Sequence, residues 1–407
     1  MYKLIAIAFS FLLSAASCKK TNEHVTTTGV SYIADVNLAA AQQTIRGFGG
    51  ATVFRPDLTD ADVNTLFGNA NDNQLGLTIL RIRVSPQGPG DWGTELSNAK
   101  RAIALGASVI ATPWSPPASM KTNNNTTGGR LSPSSYSAYA AYLERFADYM
   151  STNGASLYGL SIQNEPDIQV NYESCDWSAQ EMTDFIRDNT FNIATTKLLA
   201  AESFNFNQSY TDVILNDASA AAKVAIIGGH IYGGGLAKYD NALNKGKEVW
   251  MTEHLDTMTT WPSVMATAKE IHDCMAIANY SAYLWWYVKR FYGPINENGQ
   301  ITKRGYVMAQ FSKYIRPGYQ RVDVSNPAPN VYLSAYKENG KTVIVAVNTG
   351  SLTTIKFNIR GGTTPGSFTP YVTSRLENLS REATLDVSDG SFTYTLPESC
   401  VTTFVSN

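Results

Sequence analysis

Three glutamates in this chain stand where a short apolar run ends. They are Glu165 in Ser161-Ile162-Gln163-Asn164-Glu165-Pro166-Asp167, Glu202 in Ala201-Glu202-Ser203-Phe204, and Glu253 after Trp250-Met251-Thr252. With only 16% of residues charged, carboxylates beside buried strands need either a partner or a use. Two carboxylates facing one another about 5 Å apart can cleave a glycosidic bond, one attacking the sugar while the other protonates the departing oxygen. The attacker must be ionised and the donor protonated near neutral pH, so their surroundings must differ. Glu165 and Glu253 are the candidates for that pair. Glu202 ranks behind them, because it lacks the Asn that precedes Glu165 and the Trp-Met-Thr run before Glu253. For a lone strand-end glutamate the competing use is a structural ion pair with Arg81 or Arg83. Asn164 would aim its amide at the sugar's 2-hydroxyl, where a hydrogen bond that strengthens in the transition state aids catalysis. Pro166 then stops the strand.

The elements that must hold these groups follow one rhythm from about residue 45 to 288. Apolar runs at 45–49, 77–84, 108–114, 157–162, 198–204, 224–232, 248–253 and 282–288 alternate with Gly/Pro/Asn-rich breaks and stretches of helical periodicity. Residues 135–151 are one such stretch, with Tyr139, Tyr142, Phe146 and Met150 along one face. Eight strands apolar on both faces, alternating with helices, predict an α/β fold: a (β/α)8 TIM barrel over residues 41–313. The fourth and seventh strands of such a ring face each other, which brings Glu165 and Glu253 together across its mouth. The carboxyl ends of the strands also carry Arg81 and Arg83, Trp114, Asn164, His230 with Tyr232, His254, and Trp285 with Trp286. We read Trp114, Asn164, Tyr232, Trp285 and Trp286 as candidate substrate contacts, and Arg81, Glu202 and His230 as supporting groups. Beyond residue 314 the apolar period becomes two, with turns at Glu338-Asn339-Gly340 and Ser388-Asp389-Gly390. These predict an attached antiparallel β-sandwich over 314–407, to which residues 30–40 add a strand.

Several functions are excluded or left unsupported. Net charge is −2 with no long basic run, so a nucleic-acid partner is not expected. The histidines lack HExxH spacing and the cysteines lack CxxC spacing, so no metal and no cofactor is expected. Gly88 to Gly93 fit GxGxxG, but no acidic residue ends the following strand to hold a ribose. There is no GxSxG and no P-loop. At the N-terminus Lys3 precedes an apolar run, 4–13, that ends in Ser14-Ala15-Ala16-Ser17-Cys18. Small residues before a cysteine read as a bacterial lipobox, giving a signal peptide over 1–17 and a lipidated tether over 18–29 anchored at Cys18. The protein is then exported to the cell envelope, touches the membrane only through that lipid, and works as a monomer. Cys175, Cys274 and Cys400 leave an odd thiol and no disulfide framework, with pairing of Cys175 and Cys274 open.

Taken together, several spaced motifs resemble glycoside hydrolase family 30, in particular its bacterial glucuronoxylanase branch. They are Gly47-Phe48-Gly49-Gly50, Ala111-Thr112-Pro113-Trp114-Ser115-Pro116-Pro117, Ser161 to Asp167, Trp250-Met251-Thr252-Glu253, Trp285-Trp286-Tyr287, Lys303-Arg304-Gly305-Tyr306 and Arg316-Pro317-Gly318-Tyr319. The resemblance implies a retaining endo-β-1,4-xylanase on a barrel with a β-sandwich, with Glu165 as acid/base, Glu253 as nucleophile and (glucurono)xylan as substrate. It also implies that Arg290 and Tyr292, in Arg290-Phe291-Tyr292-Gly293-Pro294, grip a glucuronate branch. The family's tyrosine-bearing loop after the seventh strand is absent: the chain reads His254-Leu255-Asp256-Thr257, and Asp256 would repel a carboxylate. Same-family alternatives are a β-glucosidase, a β-1,6-glucanase or a xylobiose-releasing enzyme. A non-catalytic glycan-binding lipoprotein is the alternative of another class.

Overall fold

Closing a ring of strands requires one strand to lie tight against both neighbours, and the glycines after Arg46 make that possible. β1 (Ser31–Thr44) belongs to the side domain; the ring begins at β2 (Gly47–Ala51). It continues through β3 (Ile79–Val84), β4 (Ser108–Pro113), β5 (Gly159–Ser161), β6 (Lys197–Ser203), β7 (Val224–His230), β8 (Glu248–His254) and β9 (Ala282–Tyr287). All neighbours are parallel, and β2 pairs with both β3 and β9 to close the barrel. A Cβ on Gly49 would sit 1.9 Å from the Ile79 carbonyl oxygen, so no side chain fits there. The computed structural model describes residues 31–55, 58–325 and 327–407. Cys18, the expected leader and the expected tether lie outside them.

The barrel interior is filled by Ile79, Ile110, Leu199, Ile226, Trp250, Ala282 and Leu284, all buried, which makes it a packed core rather than a pore. Helices α1 (Asp60–Phe67), α2 (Gly93–Ala104), α3 (Tyr136–Thr152), α4 (Ala179–Asp188), α5 (Gln208–Asn216), α6 (Ala218–Lys223), α7 (Asp240–Asn244), α8 (Trp261–His272) and α9 (Lys303–Ser312) cover the outside. Local signals set their starts: at α4 the Ser178 hydroxyl accepts from the Glu181 amide while the Glu181 carboxylate accepts from the Ser178 amide. α3 buries Tyr139, Tyr142, Phe146 and Met150, the stripe its periodicity predicted. Tyr139 also donates to the Ile162 carbonyl at 2.9 Å, which ties this helix to the strand end just before Glu165.

The side domain comprises β1, β10 (Gln320–Val324), β11 (Val331–Glu338), β12 (Lys341–Asn348), β13 (Thr353–Arg360), β14 (Ser367–Thr373), β15 (Ser380–Arg381), β16 (Leu385–Asp386), β17 (Ser391–Leu396) and β18 (Cys400–Ser406). Asn339 and Gly340 take positive φ in the β11–β12 turn, as their hairpin sequence requires. The structure adds two details to the expected side domain. The sheet is mixed, because β1 runs parallel to β13 while pairing antiparallel with β10. β1 also continues to Thr44 instead of ending near residue 40, since its later residues still pair with β10 through register shifts. One continuous sheet folds over on itself: Phe392 near one end of the strand order meets Phe368 near the other at 4.9 Å, around a core that includes Val36, Phe357 and Phe404. Trp261 to Ser399, Gln310 to Thr373 and Thr403 to Gln310 hydrogen bonds fasten this sheet to α8 and α9. Cys175, Cys274 and Cys400 are buried free thiols, so Cys175 and Cys274 do not pair.

Candidate active site

β5 is only three residues long, shorter than the run at 157–162, because the chain leaves the ladder to present its next side chains. Backbone bonds still pin it: the Asn164 amide donates to the Pro113 carbonyl (2.9 Å) and the Glu165 amide to the Glu202 carbonyl (3.0 Å). Buried Gln163 locks the bend by donating to the Trp114 and Asn164 carbonyls. Glu165 and Glu202 both hold positive φ, a conformation that costs non-glycine residues energy and persists where the surroundings enforce it.

Across the mouth of the barrel stands Glu253 on β8. Carboxylate oxygens of Glu165 and Glu253 and a ring nitrogen of His230 all lie within 4.8 Å of one another. Arg81, fully buried on β3, organises the cluster. Its guanidinium donates to Glu253 Oε2 (2.5 Å), Glu202 Oε1 (3.0 Å), Asn164 Oδ1 (2.8 Å) and Thr112 Oγ1 (3.2 Å). The Tyr232 hydroxyl donates to the other oxygen of Glu253 at 2.9 Å. His230 Nδ1 faces Glu165 Oε1 at 2.9 Å, and its Nε2 lies 3.8 Å from Glu253 and 4.0 Å from Glu202. Tyr172 donates to Glu165 Oε2 at 3.1 Å.

The charges decide the protonation states. Burial opposes the charge of Glu202, but Arg81 outweighs it and holds this carboxyl at about 2. Burial would lower His230, yet Glu253 and Glu165 overcome it and raise the imidazole to about 9. Burial pushes Glu253 up, aided by the charge of Glu165, with His230 and Arg81 pulling against it. Three carboxylates therefore face two cations, and Glu253 meets a different set of partners from Glu165, as a pair consisting of one acid and one base requires.

Most of the sequence-predicted residues meet here: Glu165, Glu253, Asn164, Tyr232, Arg81, Glu202 and His230. The ion pair considered for a strand-end glutamate exists, but Arg81 makes it with Glu202 and Glu253 together, whereas Arg83 turns to Glu173. Trp114 is buried with Arg81 over its ring at 4.7 Å, so it supports the guanidinium rather than offering a stacking face. Trp286, tilted against Trp114 at 5.7 Å, is partly exposed at the cleft. Trp285 is corrected: strand alternation sends it out of the barrel, where it is buried under Arg304 at 4.5 Å and cannot line the cleft. Arg290 lies 3.6 Å from Glu297, beside largely buried Tyr292, along a groove of about 360 Å³ that also includes Arg55 and Tyr287. Asp256 does not line that groove: it sits in a separate pocket with His254 and Trp285, accepts from Ser263 at 2.5 Å and lies 3.9 Å from Arg304, so its charge is largely compensated. Sequence reasoning missed Tyr172 and Arg55. Both sit in loops, where no periodicity marks a residue as facing the site. Glu165, His230 and Glu253 form the one metal-type cluster among the described residues, yet Arg81 at 2.5 Å and a cationic imidazole would repel a metal ion.

The chain is similar to known proteins in sequence and in fold. A family model, the glycosyl hydrolase family 30 TIM-barrel domain, matches residues 91–272. The chain is 41% identical over 389 residues to the glucuronoxylanase XynC of Bacillus subtilis strain 168, covering 91% of each chain. Among solved structures it resembles the glycoside hydrolase family 30 subfamily 8 xylanase Xyn30A of Clostridium acetobutylicum, at 45% identity and a TM-score of 0.88 over 92% of this chain and 99% of that one. A family 30 endoxylanase of Clostridium papyrosolvens is similar at 40% identity and a TM-score of 0.85, over 92% and 100%.

The two shifted groups set a stability window. Glu202 has a folded pKa near 2 against an ordinary 4.5, so its contribution is present above about pH 4.5 and is lost as pH falls towards 2. His230 has a folded pKa near 9 against 6.5, so its contribution is full below about 6.5 and is lost as pH rises through 9. Thermal unfolding followed from pH 2 to 10 should show a plateau between about 4.5 and 6.5, and Glu202→Gln should flatten the acid side while lowering the plateau. An acid limb unchanged in that variant contradicts the assignment.

Proposed function

The chain belongs to glycoside hydrolase family 30, and from that membership we propose that it is a retaining endo-β-1,4-xylanase that acts on (glucurono)xylan as a single chain. The observation that carries this reading is the pair of carboxylates, Glu165 and Glu253, facing one another within 4.8 Å across one barrel mouth. That spacing suits direct attack and leaves no room for the intervening water that an inverting enzyme uses. Both carboxylates come from one barrel, so the site is complete without a second copy.

In the first step Glu253 attacks the anomeric carbon. Arg81 and Tyr232, donating to its two oxygens, favour the ionised form and aim it. Glu165 delivers a proton to the departing oxygen. His230, buried and cationic, keeps Glu165 in place through Oε1, and the proton is delivered from Oε2, the oxygen that Tyr172 reaches. Asn164, held through Oδ1 by Arg81, presents its amide nitrogen towards the sugar's 2-hydroxyl. In the second step Glu165 takes a proton from water, which releases the sugar with its configuration retained.

Arg290 and Tyr292 support glucuronate contact at the groove beside Tyr287, since a guanidinium suits a carboxylate. Glu297 competes for Arg290, and Leu255 supplies no phenol from the opposite loop, so we propose that a branch assists binding without being required. Export and lipidation at Cys18 rest on the sequence of residues 1–18 alone.

Glu253→Gln should lower reducing-sugar release from xylan by at least about 10⁴-fold while the fold is kept; a variant near wild-type rate sinks the reading. Arg290→Ala should weaken cleavage of glucuronoxylan by about 10-fold and leave unbranched xylan untouched, read as kcat/KM on each polymer. Product profiles dominated by glucose or xylobiose would favour the same-family alternatives instead. Cys18→Ser should move the protein from the membrane to the soluble fraction, with no change in location counting against a lipid anchor.

A further inference from the structure

Tyr172 is 46% exposed, yet its hydroxyl meets a carboxylate that is almost wholly buried, Glu165 Oε2, at 3.1 Å. The other oxygen of that carboxylate is held by buried His230. The two oxygens of Glu165 are therefore unequal: one is held from within the protein, and the other is covered by a phenol that is nearly half exposed. We propose that Tyr172 is the positioning residue of the acid/base, keeping Oε2 directed at the leaving-group side of the cleft and yielding that oxygen to the glycosidic oxygen when the polysaccharide binds. The inference rests on Glu165 serving as acid/base, as read above.

The loop carrying Tyr172 is built for such a part. Its next residue, Glu173, forms a two-pronged ion pair with Arg83, through Nε at 3.0 Å and through Nη2. Arg83 lies over the Phe54 ring at 4.8 Å, and Phe54 packs edge-on against Trp114 at 5.5 Å. Glu173 also bridges to Thr127, and the Ser174 amide donates to the Thr126 carbonyl at 2.9 Å, while Lys121 donates to the Ser174 carbonyl. The backbone on the C-terminal side of Tyr172 is thus anchored to the same wall that supports Arg81, while its half-exposed phenol reaches Glu165 through a single hydrogen bond. A fixed stem with a movable tip can register Oε2 in the resting enzyme and give way without rebuilding the loop.

Positioning of a proton donor affects only leaving groups that need the proton, and the test uses this. The 4-nitrophenyl and 2,4-dinitrophenyl glycosides of the shortest xylan fragment that the wild-type enzyme cleaves differ in that need. Tyr172→Phe should lower kcat/KM on the 4-nitrophenyl substrate by about 3- to 12-fold, the range of a single hydrogen bond between uncharged groups, and change the 2,4-dinitrophenyl substrate less than twofold. Glu173→Gln, which loosens the stem and keeps the phenol, should show the same selectivity at smaller amplitude. Equal losses on both substrates in Tyr172→Phe, or no loss on either, overturn the inference while wild-type activity on xylan leaves the broader reading standing. Absence of wild-type cleavage of any xylan substrate defeats the broader reading itself.

Discussion

The buried guanidinium of Arg81 is the interaction on which the rest of the structure depends. It donates to side chains from four segments of the barrel: Thr112 on β4, Asn164 beyond β5, Glu202 on β6 and Glu253 on β8. Removing a charge of this size from water costs several kcal/mol, which is recovered only because each donor meets an oxygen and two of those oxygens are ionised. Arginine suits the position better than lysine, since a planar fork can serve partners in several directions at once while its upper face rests on the Trp114 ring. The same contact fixes the Glu253 carboxylate and orients the Asn164 side chain, and the charge of Glu202 helps Arg81 stay buried.

The arrangement also explains how one barrel separates two chemically identical groups. Glu253 accepts from Arg81 and Tyr232, whereas Glu165 stands between His230 and Tyr172. Donors on one carboxylate are strong and buried; on the other, one of the two is half open to solvent. Unequal surroundings of this kind are what let two identical carboxyls play different parts. Positive φ at Glu165 and Glu202 fits this picture, because both residues turn out of their strands to reach a common centre.

Much of this was legible in the residues. Period and composition sufficed for the eight strands, because a strand buried on both faces must be apolar and must be followed by a chain reversal; the structure moves their ends by only a few residues. Polar groups at the ends of such strands stood out for the same reason, which is why Glu165, Glu253, Asn164, Glu202, His230 and Arg81 were all candidates. Trp285 and Trp286 show the limit. Adjacent residues on a strand face opposite ways, and a one-residue change of register decides which indole sees the cleft and which lies under Arg304. Tyr172 and Arg55 escaped because loop residues carry no period.

The sequence by itself determined the barrel, the side domain's hairpins and which glutamates stand at strand ends, since those follow from local periodicity, turn chemistry and the cost of placing charge beside buried strands. It could not determine which arginine would hold the pair, that β1 would join the side sheet in parallel, or which aromatic faces stay open. Those outcomes were decided by the tertiary structure, because each depends on the register between strands distant in the chain and on how buried charges divide a limited number of partners among themselves.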